Sequence, residues 1–382
     1  MKPLQMVDTK NQYYKIKTEV DAAVLAVLES SQFIGGEVLN EFATNLAAYK
    51  SVRHAIPCAN GTDALQVAMM ALGLQPGDEV ITPSFTYIAT VEAAALLKLQ
   101  PVFVEVDPHT FCMDTLAIEK AITSKTRAIV PVHLYGQAAD MEKIMAIAKK
   151  HDLYVIEDNA QAIGCDYTFS DGRVAKTGTI GHIGCTSFYP SKNLGAFGDG
   201  GAIFTNDDAL ADKLRMTAHH GQSKKYYHDV VGCNSRLDTI QAAILNIKLK
   251  HLDEYNTARI KAAAYYDQGF SGNAAIIVPQ RASYSTHVYH QYTILLNPVE
   301  GARYNRNGLN QFLTGKGIPS MIYYPVPCHR QKMFESFGGN SFDLPVTDWL
   351  SERVISLPIH TELDQEQQDF IISTVLDYIN SN

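Results

Sequence analysis

The feature that most constrains this chain is a regular alternation of short apolar runs with amphipathic segments between residues 54 and 205. Runs at 55–59, 79–82, 101–106, 128–134 and 154–157 read as strands, and two more are expected near 184–189 and 201–205. Between them, 62–72, 86–97, 114–122 and 141–150 read as helices, the first with Leu65, Ala68, Met69 and Leu72 on one face. Gly73 closes that helix as a C′ glycine. Such runs mean a mostly parallel sheet, buried on both faces by helices and joined by right-handed crossovers, an α/β architecture. Ligands of open sheets of this kind sit beyond the carboxyl ends of the strands. Gly61, Thr62, Tyr87, Asp158 and Lys192 each fall just after a predicted strand, so they converge on one edge.

Two amphipathic helices precede the alternation. One carries Val20, Val24, Leu25, Val27 and Leu28, the other Val38, Leu39, Phe42 and Leu46, with a break at Phe33-Ile34-Gly35-Gly36. A helical pattern over 238–266 bridges to an α+β remainder. That remainder holds a strand with Val288, Tyr292 and Ile294, a helix at 307–316, a strand at 354–357 and a terminal helix at 365–379. With 382 residues, two domains are expected: a large one over 1–250 with an N-terminal arm, and a smaller one over 251–382.

Charge and composition exclude several classes of function. A net charge of −8 without a strongly basic run argues against nucleic acid or an anionic membrane as the main partner. No apolar run is long enough to span a bilayer, and Met1 to Lys10 has no signal-peptide core. The six cysteines are scattered without a Cys-x-x-Cys pair, which suits a reducing cytoplasm and argues against a structural zinc. His219-His220 is a poor metal pair, because adjacent residues do not share a helix face.

The chemistry-bearing residues form a set. Lys192 stands in Ser187-Phe188-Tyr189-Pro190-Ser191-Lys192-Asn193-Leu194-Gly195, a loop rich in small residues after an apolar strand. A lone loop lysine is usually solvated; the chemical reading is a Schiff-base lysine with a depressed pKa. Asn60-Gly61-Thr62 opens a helix, where unpaired amides favour a phosphate; the plain alternative is an ordinary N-cap. Asp158 ends a strand as a carboxylate suited to a pyridinium nitrogen, or else caps a helix. Gln161 can donate to a ring oxygen or cap, and Tyr87 can stack on a flat ring or belong to the core. Each signal is weak alone. In this order they describe a pocket for pyridoxal 5′-phosphate.

On Asn60-Gly61-Thr62-Asp63-Ala64-Leu65, Gly77-Asp78-Glu79-Val80-Ile81-Thr82-Pro83, Glu157-Asp158-Asn159-Ala160-Gln161, Ser187 to Lys192, and Asn234-Ser235-Arg236-Leu237-Asp238, the chain resembles the sugar aminotransferases of the DegT/StrS family. The likeness runs nearly end to end. It implies a fold-type-I pyridoxal phosphate enzyme with a mostly parallel central sheet and a smaller C-terminal domain. It implies that Lys192 holds the cofactor and shuttles a proton, that Asp158 pairs with the ring nitrogen and Gln161 with the ring hydroxyl, and that Tyr87 stacks. The same resemblance implies that Gly61, Thr62 and Ser187 bind the phosphate and that Asn234 reaches it from the neighbouring subunit of a homodimer. It further implies that Arg236, Tyr323, Tyr324 and His329 face a nucleotide-linked keto-sugar, with L-glutamate as the expected amino donor. Tyr135-Gly136-Gln137 and His220-Gly221-Gln222 resemble the branch acting on 3-keto uronic acids in O-antigen pathways. Those relatives often carry His-Tyr where this chain has Tyr323-Tyr324. Sugar dehydratases of the same fold carry histidine in place of the lysine, so Lys192 speaks against that rival. A cofactor-binding regulator without turnover is the other.

Overall fold

The computed structural model describes residues 2–381. Helices α1 (Thr9–Ser30) and α2 (Glu37–Lys50) lead into the alternating region. There follow β1 (His54–Cys58), α3 (Gly61–Ala71), β2 (Glu79–Pro83), α4 (Ala89–Leu96), β3 (Gln100–Val104), α5 (Thr115–Ala121), β4 (Thr126–Ile129), α6 (Met141–His151) and β5 (Tyr154–Asp158). A hairpin, β6 (Asp166–Thr168) and β7 (Val174–Lys176), precedes β8 (Ile183–Ser187), β9 (Gly201–Thr205) and α7 (Asp208–Ala218). A second hairpin, β10 (Gln222–Lys224) and β11 (Tyr227–His228), leads to α8 (Thr239–Lys250) and α9 (Leu252–Gly269). The remainder is β12 (Ile276–Ile277), β13 (Tyr292–Leu296), α10 (Arg306–Gly315), α11 (Pro345–Ser351), β14 (Val354–Leu357) and α12 (Gln365–Asn380).

The main sheet has seven strands in the order β1-β9-β8-β5-β4-β2-β3. Its parallel pairs are β2–β3, β2–β4, β4–β5 and β5–β8; β9 alone is reversed, antiparallel to both β8 and β1. Strand alternation sends neighbouring residues to opposite faces. Val80, Ala128, Ile156 and Ile183 pack with Leu65, Val67 and Leu214 on one side. Ile81, Ile129 and Val155 pack with Ile118 and Ile144 on the other. A further core lies among the C-terminal residues, where Ile294 and Ile355 of the sheet β12-β13-β14 meet Tyr266, Leu309 and Val375, while Leu295 and Val354 of the same sheet pack into the core of the main sheet.

Several elements differ from the sequence reading. The strand expected at 128–134 stops at Ile129; beyond Pro131 its pairing with β5 survives as one isolated parallel bridge, Val132 to Asp158, in which Asp158 N–H donates to Pro131 O at 2.9 Å and His133 N–H to Asp158 O at 3.0 Å. The helix expected from 86 begins at Ala89. The pattern over 238–266 is two helices meeting at His251, and Val288 lies outside β13. The two hairpins lie outside the sequence reading, and so does α7, although its buried Ala211, Leu214 and Ala218 stand at helical spacing. No helix among the described residues is long and apolar enough to cross a membrane.

Candidate active site

β8 ends at Ser187 and β9 starts at Gly201, so residues 188–200 are the link between antiparallel neighbours. A short link suffices there, whereas parallel strands need a crossover. Lys192 stands on this link, beyond the carboxyl end of β8. Its surroundings are tied down. Lys192 N–H donates to Tyr189 O at 2.8 Å and Ala196 N–H to Phe188 O at 2.7 Å. The buried Asn193 amide donates to Asn256 Oδ1 at 2.7 Å and to Val288 O at 2.9 Å. Lys248 Nζ, also buried, donates to Gly195 O at 2.5 Å. Gly195 admits no side chain: a Cβ would stand 2.4 Å from Pro190 O.

Lys192 Nζ itself has no hydrogen bond or ion pair among the described residues. Part of the side chain opens on the crevice, yet burial pushes its ammonium down to about 8, against the opposing pull of Asp158. At that value about a tenth of it is free amine at pH 7, against a few parts in ten thousand for an ordinary lysine.

Asp158 closes β5 and is buried. Its Oδ2 accepts from Thr90 Oγ1 at 2.7 Å and its Oδ1 from Ala160 N–H at 3.1 Å. The strand end is clamped from behind through Glu157. That carboxylate is fully buried and accepts from His133 Nε2 at 2.8 Å and from the amides of Gly178, Ile180 and Gly181 at 2.6, 2.7 and 2.6 Å. His133 Nδ1 accepts from Ala139 N–H at 3.1 Å, so Nε2 carries the hydrogen. Burial pushes the Glu157 carboxyl up, but His133 and the amides outweigh it and hold it below the ordinary range.

Gln161 Oε1 accepts from Tyr135 N–H at 2.8 Å, which turns Nε2 toward the Tyr324 hydroxyl at 3.0 Å. The Tyr135 hydroxyl donates to the Tyr323 carbonyl. Ring centroids of Tyr324 lie 6.1 Å from Tyr87 and 6.3 Å from Phe85. Tyr87 stands just before α4 and is 57% exposed, so it is a crevice residue rather than core. Burial pushes the Tyr324 phenol above its ordinary value and keeps it neutral.

The turn before α3 meets β8 and β9. Asn60 caps the helix by accepting from Asp63 N–H at 2.8 Å, and its carbonyl takes Ala64 N–H. The amides of Gly61 and Thr62 are left open, as the first amides of a helix are. Gly201 pairs with both Cys58 and Ser187, which draws the three segments together. A Cβ on Gly61 would stand 2.8 Å from Ser187 Cβ, so only glycine lets the turn approach the serine. Open amides, a hydroxyl and a helix N-terminus make a cradle for a phosphate.

The remaining expected residues lie around this core. Asn234 is exposed and Arg236 half-buried; between them Ser235 Oγ accepts from Ala59 N–H at 3.2 Å, so the segment borders the α3 turn. His329 is fully buried. Ser84 Oγ accepts from His329 N–H at 3.0 Å and lies 2.7 Å from Nδ1, while Nε2 faces Asp348 Oδ1 at 3.5 Å. Its ring fastens residues 327–330 to the β2–α4 link through Nδ1, and Nε2 is buried without a hydrogen bond among the described residues. Burial holds this imidazole below its ordinary value, with Asp348 opposing.

A model of the DegT/DnrJ/EryC1/StrS aminotransferase family matches residues 14–376. The chain belongs to this family. It is 44% identical over 375 residues to the "Pleiotropic regulatory protein" of Geobacillus stearothermophilus, covering 98% of each chain. It is 44% identical over 361 residues to the UDP-2-acetamido-2-deoxy-3-oxo-D-glucuronate aminotransferase of Pseudomonas aeruginosa, covering 94% of this chain and 96% of that one. NtdA from Bacillus subtilis, solved with bound cofactor PMP, superposes with a TM-score of 0.89 at 30% identity, over 100% of this chain and 86% of that one.

The expected architecture, a mostly parallel sheet flanked by helices, is the one this aminotransferase has. The family's cofactor, pyridoxal 5′-phosphate, fits the residues present. The cradle at Gly61, Thr62 and Ser187 suits the phosphate, Asp158 a ring nitrogen, and the unpartnered Lys192 amine an aldehyde carbon. Three supporting residues were missed by the sequence reading: Thr90 on Asp158 and His133 on Glu157, which carry no sequence signal, and Lys248 on Gly195, which carries a weak one. A buried cation in an apolar helix such as α8 was the one available hint, because lysine is rarely buried without a partner.

Proposed function

We propose that this aminotransferase moves an amino group, supplied by L-glutamate, onto the keto carbon of a nucleotide-linked sugar, in surface-polysaccharide or other amino-sugar biosynthesis. The observation that carries the reading is Lys192 Nζ: a buried-loop amine without a partner, depressed to about 8, with Asp158 acting on it. Pyridoxal phosphate supplies the electron sink when bound. Lys192 holds it and moves the proton. Asp158 accepts from the ring nitrogen, Gln161 faces the ring hydroxyl, Tyr87 covers the ring, and Gly61, Thr62 and Ser187 bind the phosphate. Tyr323, Tyr324 and Arg236 meet the nucleotide-sugar. His329 serves it by seating the segment that carries the two tyrosines. The likeness to a UDP-3-oxo-glucuronate aminotransferase supports a keto-sugar acceptor.

The active unit we propose is a homodimer in which Asn234 of one protomer serves the phosphate of the other. Exposed Leu25 and Leu28 on α1, Phe33 and Ile34 between α1 and α2, and Tyr189 and Phe197 on the Lys192 link support it. A domain division at 250/251 is supported by the helix break at His251 and by the separate three-stranded sheet.

The test is Lys192→Ala. Turnover of glutamate with a UDP- or dTDP-linked keto-sugar, followed by product mass, should fall at least a thousandfold, and the absorbance of lysine-bound cofactor should vanish. Full turnover in that variant would end the reading. The regulatory name of one relative favours a second reading, binding without turnover. Conversion of bound pyridoxal phosphate to its amine form by glutamate separates the two.

A further inference from the structure

Threonines inside helices commonly return their hydroxyl to the carbonyl four residues back. In this chain Thr44, Thr257, Thr314 and Thr374 do so, at 2.9, 2.7, 2.8 and 2.7 Å. Thr90, in the first turn of α4 and 1% exposed, does not. Its hydroxyl reaches Asp158 Oδ2 at 2.7 Å, on a strand 68 residues away. A carboxylate only accepts, so Thr90 is the donor, and its single proton is spent there. Thr86 Oγ1 lies 3.3 Å from Thr90 Oγ1, so Thr86 must donate to Thr90. The chain of bonds therefore runs Thr86 to Thr90 to Asp158, in one direction only. It starts one residue before Tyr87 and ends on the acceptor proposed for the ring nitrogen.

We propose that Thr90 is a positioning residue for the cofactor ring. Its hydroxyl and the Ala160 amide each occupy one oxygen of Asp158, which stops the carboxylate rotating about its own axis and aims the remaining lone pairs into the crevice. Because Thr90 and Tyr87 share the start of α4, the same link fixes the distance between the stacking face and the nitrogen acceptor. The inference rests on the reading of the site as a pyridoxal phosphate pocket.

Full-length Thr90→Val, Thr90→Ser and Thr86→Val proteins are compared with the parent. The probe is pyridoxal phosphate labelled with 15N in the ring; the readouts are its nitrogen resonance, its dissociation constant, and the rate of its amination by glutamate. In Thr90→Val the resonance should move toward that of free cofactor and retention should weaken at least tenfold. Amination should slow at least tenfold at saturating glutamate, with KM for glutamate within twofold. Thr90→Ser should restore all three within twofold, and Thr86→Val should show a smaller change in the same direction. A parent-like resonance in Thr90→Val overturns the proposal, as does a Thr90→Ser protein as damaged as Thr90→Val, which would make the methyl group the working part. If Thr90→Val does not fold, Thr86→Val decides alone: an unmoved resonance sinks the proposal. Failure of the parent to bind cofactor ends the reading of the site itself, whereas an unperturbed valine variant of a binding parent removes only Thr90.

Discussion

Lys192 shows how one side chain acquires a reactivity its type does not possess. An exposed lysine stays protonated to about pH 10.4 and is a poor nucleophile at neutrality. Here burial lowers the ammonium to about 8 while Asp158 resists. Only the neutral amine attacks an aldehyde, so the rate of cofactor capture by the apo-protein should climb about tenfold per pH unit below 8 and level off above it. Stopped-flow absorbance after mixing with pyridoxal phosphate measures this; a profile still rising steeply at pH 9.5 would mean an ordinary lysine. Asp158→Asn removes the opposing pull, so its plateau should begin at lower pH. The lysine, the strand-end aspartate and the glycine turn were legible in the sequence only as a set, because each alone has an ordinary structural reading. His329 was legible as a motif residue but not as a buried one. Its bonds to Ser84 and its approach to Asp348 depend on residues far away in the chain.

Among the elements, the junction of α3, β8 and β9 carries the most information. Alanine is normally preferred to glycine in a helix by about 1 kcal/mol. At Gly61 that preference should reverse, because the added Cβ meets Ser187 Cβ at 2.8 Å and forces α3 away from β8. Gly61→Ala should therefore bind pyridoxal phosphate at least tenfold more weakly, while binding of phosphate-free pyridoxal changes little; fluorescence titration compares them. Equal losses for both ligands would place the damage outside the phosphate cradle. Element type was readable from periodicity wherever a run was long, as in α3, α6 and α12. The ends were not. Residues 86–88 precede the first residue of α4, which leaves Tyr87 exposed beside Tyr324, and β4 ends at Ile129 although its pairing with β5 resumes as a bridge between Val132 and Asp158.

At the scale of the whole molecule, the exposed apolar residues on α1 and on the Lys192 loop belong together. Leu25 and Phe197 line one groove with Tyr13, Val24 and Pro190. The homodimer we propose would cover that groove. Leu25→Asp should shift the protein from dimer to monomer in sedimentation velocity at micromolar concentration, and activity should fall with the dimer fraction. A fully active monomer would remove the shared-site arrangement. What the sequence alone determined was the layered α/β plan, because period-two and period-3.6 patterns are local properties; the proposed reactive groups emerged only as a set and through the family resemblance. What only the tertiary structure decided was the reversal of β9, the burial of Lys192 and the bonds that aim Asp158. Those depend on which distant segments share a neighbourhood, and chain packing, not local preference, sets that.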